Sequence, residues 1–191
     1  MSNYLAVATV TAAFGRMIGE ALARVDRPSA KPRVRFGPPQ PDPKFVGCSL
    51  FLYGVAPNAV RRNEVLPAPT AARSALDRSR AVLDLNYLLT FAGDEKTLEP
   101  QRFLGAVVSA LQAQPVLPRD AITQVIESLD YLRGSDLDQA PDDIRLAQAP
   151  LDLAVLAELW ESVSPARYRL AIAYTATAVT IEAQGNSVIG N

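Results

Sequence analysis

The sequence predicts an α+β domain, a single unit with a mixed, largely antiparallel sheet flanked by helices. Three observations carry that expectation. Apolar runs with strand character fall in neighbouring pairs, whereas a parallel array would alternate them one for one with helices. Other segments repeat apolar residues every three or four positions, the signature of amphipathic helices. With 191 residues, 49% of them hydrophobic and 20% charged, the chain suits one domain with its own core. That domain is expected over residues 1–183, with 184–191 a loosely held tail.

The elements follow in order. Tyr4, Val7, Thr11, Phe14, Ile18, Ala21 and Val25 are spaced alternately by three and four, and Asn3, Arg16, Glu20 and Arg24 lie off that stripe. This predicts a helix packed on its own sheet, ended by Asp26 to Pro28 because proline breaks the hydrogen-bond ladder. Residues 31–44 hold Pro32, Pro38, Pro39, Pro41 and Pro43, which forbids a helix or interior strand. An extended arm is expected there, although "RVRF" alternates well enough for a short edge strand. "FVGCSLFLYGV" (45–55) is too short and apolar for anything but a strand buried on both faces or nearly so.

Within "LFLYGVAPNAVRRNEVLP" the strand then gives way to a loop expected to reach about Ser79. In "RAVLDLNYLLTFAG" (80–93), Leu83, Leu85, Tyr87, Leu89 and Phe91 share one strand face, with Asp84, Asn86 and Thr90 on the other. Thr97 is the expected N-cap of a helix over 97–114, with Pro100 in its first turn and Phe103, Leu104, Val107, Val108 and Leu111 inward. A short helix over 119–133 follows Pro118, then a strand over 143–150 with Ile144, Leu146 and Gln148 sharing a face. Asp152 is placed to cap a helix over 153–163 carrying Leu153, Leu156, Leu159, Trp160 and Val163. The last strand, 167–183, sets Tyr168, Leu170, Ile172 and Tyr174 on one face.

Composition removes several kinds of chemistry. The chain has no histidine, so no imidazole base, His-ligated zinc or histidine triad can be built from it. Its one cysteine, Cys48, forms no internal disulfide and lies inside a predicted strand, where it reads as a small buried hydrophobe. No phosphate-binding, dinucleotide-binding or nucleophile-elbow glycine motif occurs. Asp136, Asp138, Asp142 and Asp143 sit where turns are expected and read as solvated acids. Asp84 is the one acid expected to be partly buried, and a sheet-face hydrogen bond explains it more simply than acid–base work. Catalytic residues, cofactors and metals are therefore expected to be none.

No run of about 18 apolar residues predicts a membrane span, and Met1-Ser2-Asn3 lacks a basic leader region. A soluble protein made in the cytoplasm is expected. The formal net charge of -1 argues against nucleic acid as a partner. Charge is nevertheless patchy. Arg24, Arg27, Lys31, Arg33, Arg35 and Lys44 face only Asp26 and Asp42, and Arg61, Arg62, Arg73, Arg78 and Arg80 form a second group. Balanced overall charge with local excess suits protein contacts.

Four blocks carry a resemblance: "SLFLYGVAPNAVRRNEVLP", "LDLNYLLTFAG", "RFLGAVVSALQAQPVL" and "APLDLAVLAELWESVSPARYRLAIAYTATAVTIE". In order and spacing they resemble the tube-terminator, or cap, family of extracellular contractile injection systems, of the Photorhabdus virulence cassette and antifeeding prophage type. The likeness spans about residues 3–182. It implies a phage tail-terminator-like fold and a structural, non-enzymatic protein. It further implies a homohexameric ring that closes the distal end of the inner tube, ends tube polymerisation and anchors the last sheath layer. The implied partners are further copies of the chain, the inner tube protein and the sheath protein, in a particle that can be released from the cell. Some relatives carry a further C-terminal region, which a chain ending soon after its last strand is expected to lack.

A terminator of an ordinary contractile phage or prophage is the alternative within that class. From another class, an anion-binding enzyme or module would use Asp84 and the loop arginines. The family carries over no catalytic residues, so the expected interface residues come from charge and loop position alone: Asn58, Arg61, Arg62, Asn63, Glu64, Arg73, Arg78, Arg33 and Arg35.

Overall fold

A computed structural model describes residues 2–60, 80–151, 154, 156–158, 160 and 169–182. Helix α1 (Ala6–Leu22) opens the chain and lies across one face of a five-stranded sheet, touching β1 (Arg33–Phe36), β2 (Gly47–Pro57) and β5 (Ala171–Glu182). Between β2 and β5 come β3 (Arg80–Ala92), helix α2 (Glu99–Ala113), helix α3 (Arg119–Ser128) and β4 (Arg145–Ala149). The sheet order is β1-β2-β3-β5-β4. Among the described strands only β1 and β2 run parallel; the other neighbours are antiparallel.

The parallel edge has a local cause. A parallel partner normally needs a long crossover, but here the proline-rich 37–46 stretch carries the chain off the sheet and back. Gly37 (φ 99°) and Gly47 (φ 133°) stand at the two ends of that excursion in backbone conformations that disfavour side chains. A Cβ on Gly47 would lie 2.0 Å from the Arg33 carbonyl oxygen, so the close approach of β1 to β2 depends on that glycine.

The core fills the space between α1, α2, α3 and the sheet. Phe14 is fully buried and meets Tyr87 (5.4 Å between centroids) and Tyr174 (6.2 Å), both edge-on. Each such side chain contributes about 1.5–3 kcal/mol by leaving water. Thr11 and Tyr87 hydroxyls share a 2.8 Å hydrogen bond, and burial pushes the Tyr87 phenol up to about 12 despite it. Leu85, Leu89 and Phe91 share the inward face of β3 with Tyr87, as alternation predicts. Leu88, Thr90 and Ala173 are buried on the opposite face, so the middle of the sheet is covered on both sides.

Several expectations shift. The buried surface of α1 is broader than the expected stripe: Ala6, Val10, Ala12 and Ala13 are buried, while Tyr4 precedes the helix and is 72% exposed. A helix wedged between a sheet and two other helices buries more than one stripe. Strand β2 is buried only from Gly47 to Leu50 and then emerges. Thr97 does not cap α2. It closes a 3-10 turn over Glu95–Thr97, capped by Asp94, and left-handed Leu98 (φ 53°) leads into the helix. Helix α3 stops at Ser128 and a 3-10 turn takes Asp130–Leu132. On β4, Leu146 is buried but Gln148 is exposed. Ala154, Leu156, Ala157, Glu158 and Trp160 are helical, with Leu156 buried. The expected Asp152 cap, Leu153, Leu159, Val163, Tyr168 and the 184–191 tail lie outside the described residues.

Candidate assembly surface

Strand β1 places its two arginines by simple alternation. Val34 and Phe36 face α1, where Gly15 leaves room: a Cβ there would meet the Phe36 ring at 2.5 Å. Arg33 and Arg35 therefore point to the other face. Arg35 lies 4.2 Å above the ring of buried Phe45, and its Nη2 donates to Asp42 Oδ2 at 2.6 Å. The other Asp42 oxygen accepts the Lys44 N–H at 3.0 Å, closing a turn inside the proline-rich arm. The Arg35 hydrogen bond, then the Lys44 amide, hold the Asp42 carboxyl below its usual range, and the Arg33 charge adds to this.

A third guanidinium joins from the far end of the chain. Arg169 donates from Nη2 to the Gln40 carbonyl at 3.1 Å. Burial and the nearby Arg35 charge lower its pKa, while Asp42 opposes that shift. Three arginines thus surround one carboxylate, and among the described residues Nη1 of Arg35 and of Arg169 has no hydrogen-bond partner. The cluster carries surplus positive charge at an edge of the sheet.

Asn58, expected at the interface, faces inward. It is 8% exposed and its Nδ2 donates to Asp84 Oδ1 at 2.7 Å. The same oxygen accepts the Ala178 N–H at 3.3 Å, within a register shift where Ala178 is left-handed (φ 65°). A bulge frees an amide from the ladder, and Asp84 takes it up. A second register shift between Leu52 and Gly54 lies on the other side of β3. The chain turns helical at Ala59 and Val60, where the sequence reads as loop. Arg61, Arg62, Asn63, Glu64, Arg73 and Arg78 lie outside the described residues.

The remaining groups of chemical interest serve the fold. Cys48 is fully buried, and burial pushes its thiol far up, away from the thiolate a nucleophile needs. Glu99 is fully buried and accepts from the Asp94 N–H at 2.6 Å, the Ser29 hydroxyl at 2.7 Å and the Ser29 N–H. Burial alone would raise its pKa; those hydrogen bonds, with the Arg102 charge, outweigh it and hold the carboxyl low. Among the described residues no group of His, Cys, Asp and Glu could hold a metal ion, and no helix is long and apolar enough to cross a membrane. Sequence reasoning missed the Glu99 staple and the arrival of Arg169, since only folding brings residues 29 and 99, or 40 and 169, together. The Asp42-Pro43-Lys44 turn was the one available local signal.

Comparison with known proteins places this fold. The family model described as "Pvc16 N-terminal domain" matches residues 9–189. No curated protein matches the chain. Among solved structures, the sheath/tube terminator of the PVC extracellular contractile injection system, in the extended state, matches with a TM-score of 0.60 at 17% identity over 95% of this chain. The tube-terminating cap of the anti-feeding prophage matches with a TM-score of 0.53 at 18% identity over 90% of this chain. The chain spans 58% and 54% of those two proteins.

Proposed function

Because the chain belongs to the Pvc16 N-terminal domain family, we propose that it is a structural assembly protein that caps a phage-tail-like contractile injection particle. It sits at the distal end of the inner tube as a homohexameric ring, ends tube polymerisation and holds the last layer of sheath. It is made in the cytoplasm and leaves the cell only as part of the particle. It turns over no substrate and uses no cofactor. Its partners are its own copies, the tube protein and the sheath protein.

The observation that carries this reading is the shared fold over 95% of the chain with a sheath/tube terminator. The polar groups agree with a scaffold: Cys48, Asp84 and Glu99 are each committed to the core or to a backbone amide. A ring that stacks between tube and sheath needs rigid elements with charged margins, and the β1 edge supplies one. Deleting the gene and imaging the particles tests the function. Tubes of uncontrolled length that shed their sheath are expected. Normal-length tubes with complete sheath in the deletion strain would overturn it.

A further inference from the structure

The two edges of the sheet carry opposite charge. At the β1 edge, Lys31, Arg33, Arg35, Lys44 and Arg169 are opposed, among the described residues, by Asp42 alone. Arg33 is exposed on one face of β1, and Phe36, against Gly15 of α1 on the other face, is 54% exposed. The Arg33 and Gly37 amides donate to β2, so in a parallel strand the Val34 and Phe36 amides face away from the sheet. This edge offers backbone donors, an aromatic ring and positive charge together.

The opposite margin is acidic. Residues 130–143 lead into β4 and hold Asp130, Asp136, Asp138, Asp142 and Asp143 against Arg133. Arg119 reaches in from α3, 3.7 Å from Asp143, and exposed Arg145 opens β4, which still leaves five acids to three arginines. Asp130 and Asp143 keep 86% and 65% of their side chains exposed. Asp136 accepts the Asn3 N–H at 2.8 Å, tying this turn to the start of α1, whereas β1 lies against Gly15 and Gly19 further along that helix. Tyr131 and Tyr4 stand exposed on the acidic side at 67% and 72%. With β1 and β4 at opposite edges, four strand spacings, about 19 Å, separate them.

A single chain with complementary charge on two opposite margins is suited to heterologous contact, in which one patch meets a different patch on the next copy. We propose that copies of this chain associate head to tail, the basic β1 edge of one against the acidic 130–143 turn of the next. The occupant of each margin is a second copy of the chain. Exposed aromatics on both sides supply the anchors, and the charges set register and suppress wrong pairings. This rests on the ring reading above and names the surfaces that close the ring.

Two full-length variants test it. Lys31→Glu with Arg33→Glu and Lys44→Glu makes both margins acidic, and Asp130→Lys with Asp143→Lys makes both basic. All five positions are exposed, and far-ultraviolet circular dichroism checks that each variant folds. Rings are counted on tube ends of particles from a strain lacking the native gene, with protein added back at low salt. Each variant alone is expected to lower ring occupancy at least tenfold. An equimolar mixture restores it to within about twofold, because alternating copies regain opposite charge at every contact of an even-membered ring. One chain carrying all five changes restores it as well. If each variant alone caps tubes as well as the parent, or if neither mixture nor combined chain restores occupancy, head-to-tail pairing is wrong and capping still stands. If the parent forms no rings on tube ends and deletion leaves tube length unchanged, the capping reading falls, and this inference with it.

Discussion

Two carboxylates hold the same proline-containing stretch, and they do so in opposite ways. Glu99 is fully buried and takes two donors from Ser29 and one from Asp94. Nothing of it is left for solvent. Asp42 lies at the margin, accepts from Arg35 and the Lys44 amide, and leaves three guanidiniums with one negative charge among them. A polar group fully satisfied within the chain stabilises the fold, because breaking it strands buried donors. A group left under-neutralised at an edge adds little to stability and remains open to another molecule. The contrast separates residues that hold the domain from residues that meet partners.

The strongest way to break the edge goes through its backbone. Gly47→Ala would set a Cβ 2.0 Å from the Arg33 carbonyl oxygen and 2.6 Å from its nitrogen, at a φ of 133°. Neither backbone can yield without separating β1 from β2. A loss of about 2–4 kcal/mol in urea unfolding is expected, with faster hydrogen exchange at the Arg33 and Gly37 amides. Unchanged protection there would show that β1 is held some other way. Glu99→Ala comes close behind. It leaves the Asp94 and Ser29 amides without their acceptor, for about 2–3 kcal/mol. Gly93→Ala attacks the same staple from the other side, since its Cβ would lie 2.7 Å from the Glu99 carboxylate.

The staple also has a pH signature. The Glu99 carboxyl is held below the usual carboxylate range in the fold. A depressed acid contributes stability above its unfolded pKa, and that contribution is lost as pH falls through the folded value. Stability should therefore decline from about pH 4.5 downwards, and more steeply in the parent than in Glu99→Gln, which has no charge there to lose. Parallel slopes for the two proteins in acid unfolding would mean that other carboxylates govern the decline.

The difference between the two regions also explains how far the sequence could be read. Strand alternation in "LDLNYLLTF" and three-four spacing in "RFLGAVVSAL" are local properties, and β3 and α2 bury Leu85, Tyr87, Leu89, Phe103, Val107 and Leu111 accordingly. The edge strand "RVRF" was legible for the same reason, but its parallel direction was not, since that depends on where an irregular proline arm returns. The stripe places Tyr4 inward because it assumes one contact face, and α1 has several. Nothing local in the sequence marks Glu99, because its partner Ser29 lies 70 residues away. Asn58 sat in a charged stretch and looked like a contact; its partner Asp84 is 26 residues on, across a strand pair. Pairings set by tertiary geometry leave no periodic trace in the chain.

The smallest effect on stability is expected at Asp42 itself, and it bears most directly on assembly. Asp42→Asn keeps the size of the side chain and its acceptor for the Lys44 amide, and removes only the charge facing Arg35. The thermal midpoint should barely move, because β1 is held by its ladder to β2 and by Phe36 and Val34 against α1. The positive excess of the edge rises by one charge at the same time. If that edge meets an acidic surface, association of the variant is stronger than that of the parent at low salt. The difference fades at about 0.5 M salt, where charges more than a few ångströms apart are screened. Light scattering across a salt series reads both quantities. A fall in thermal midpoint comparable to that of Glu99→Ala, with no gain in association, would place Asp42 with Glu99 among the groups that hold the domain and remove the distinction between the two regions.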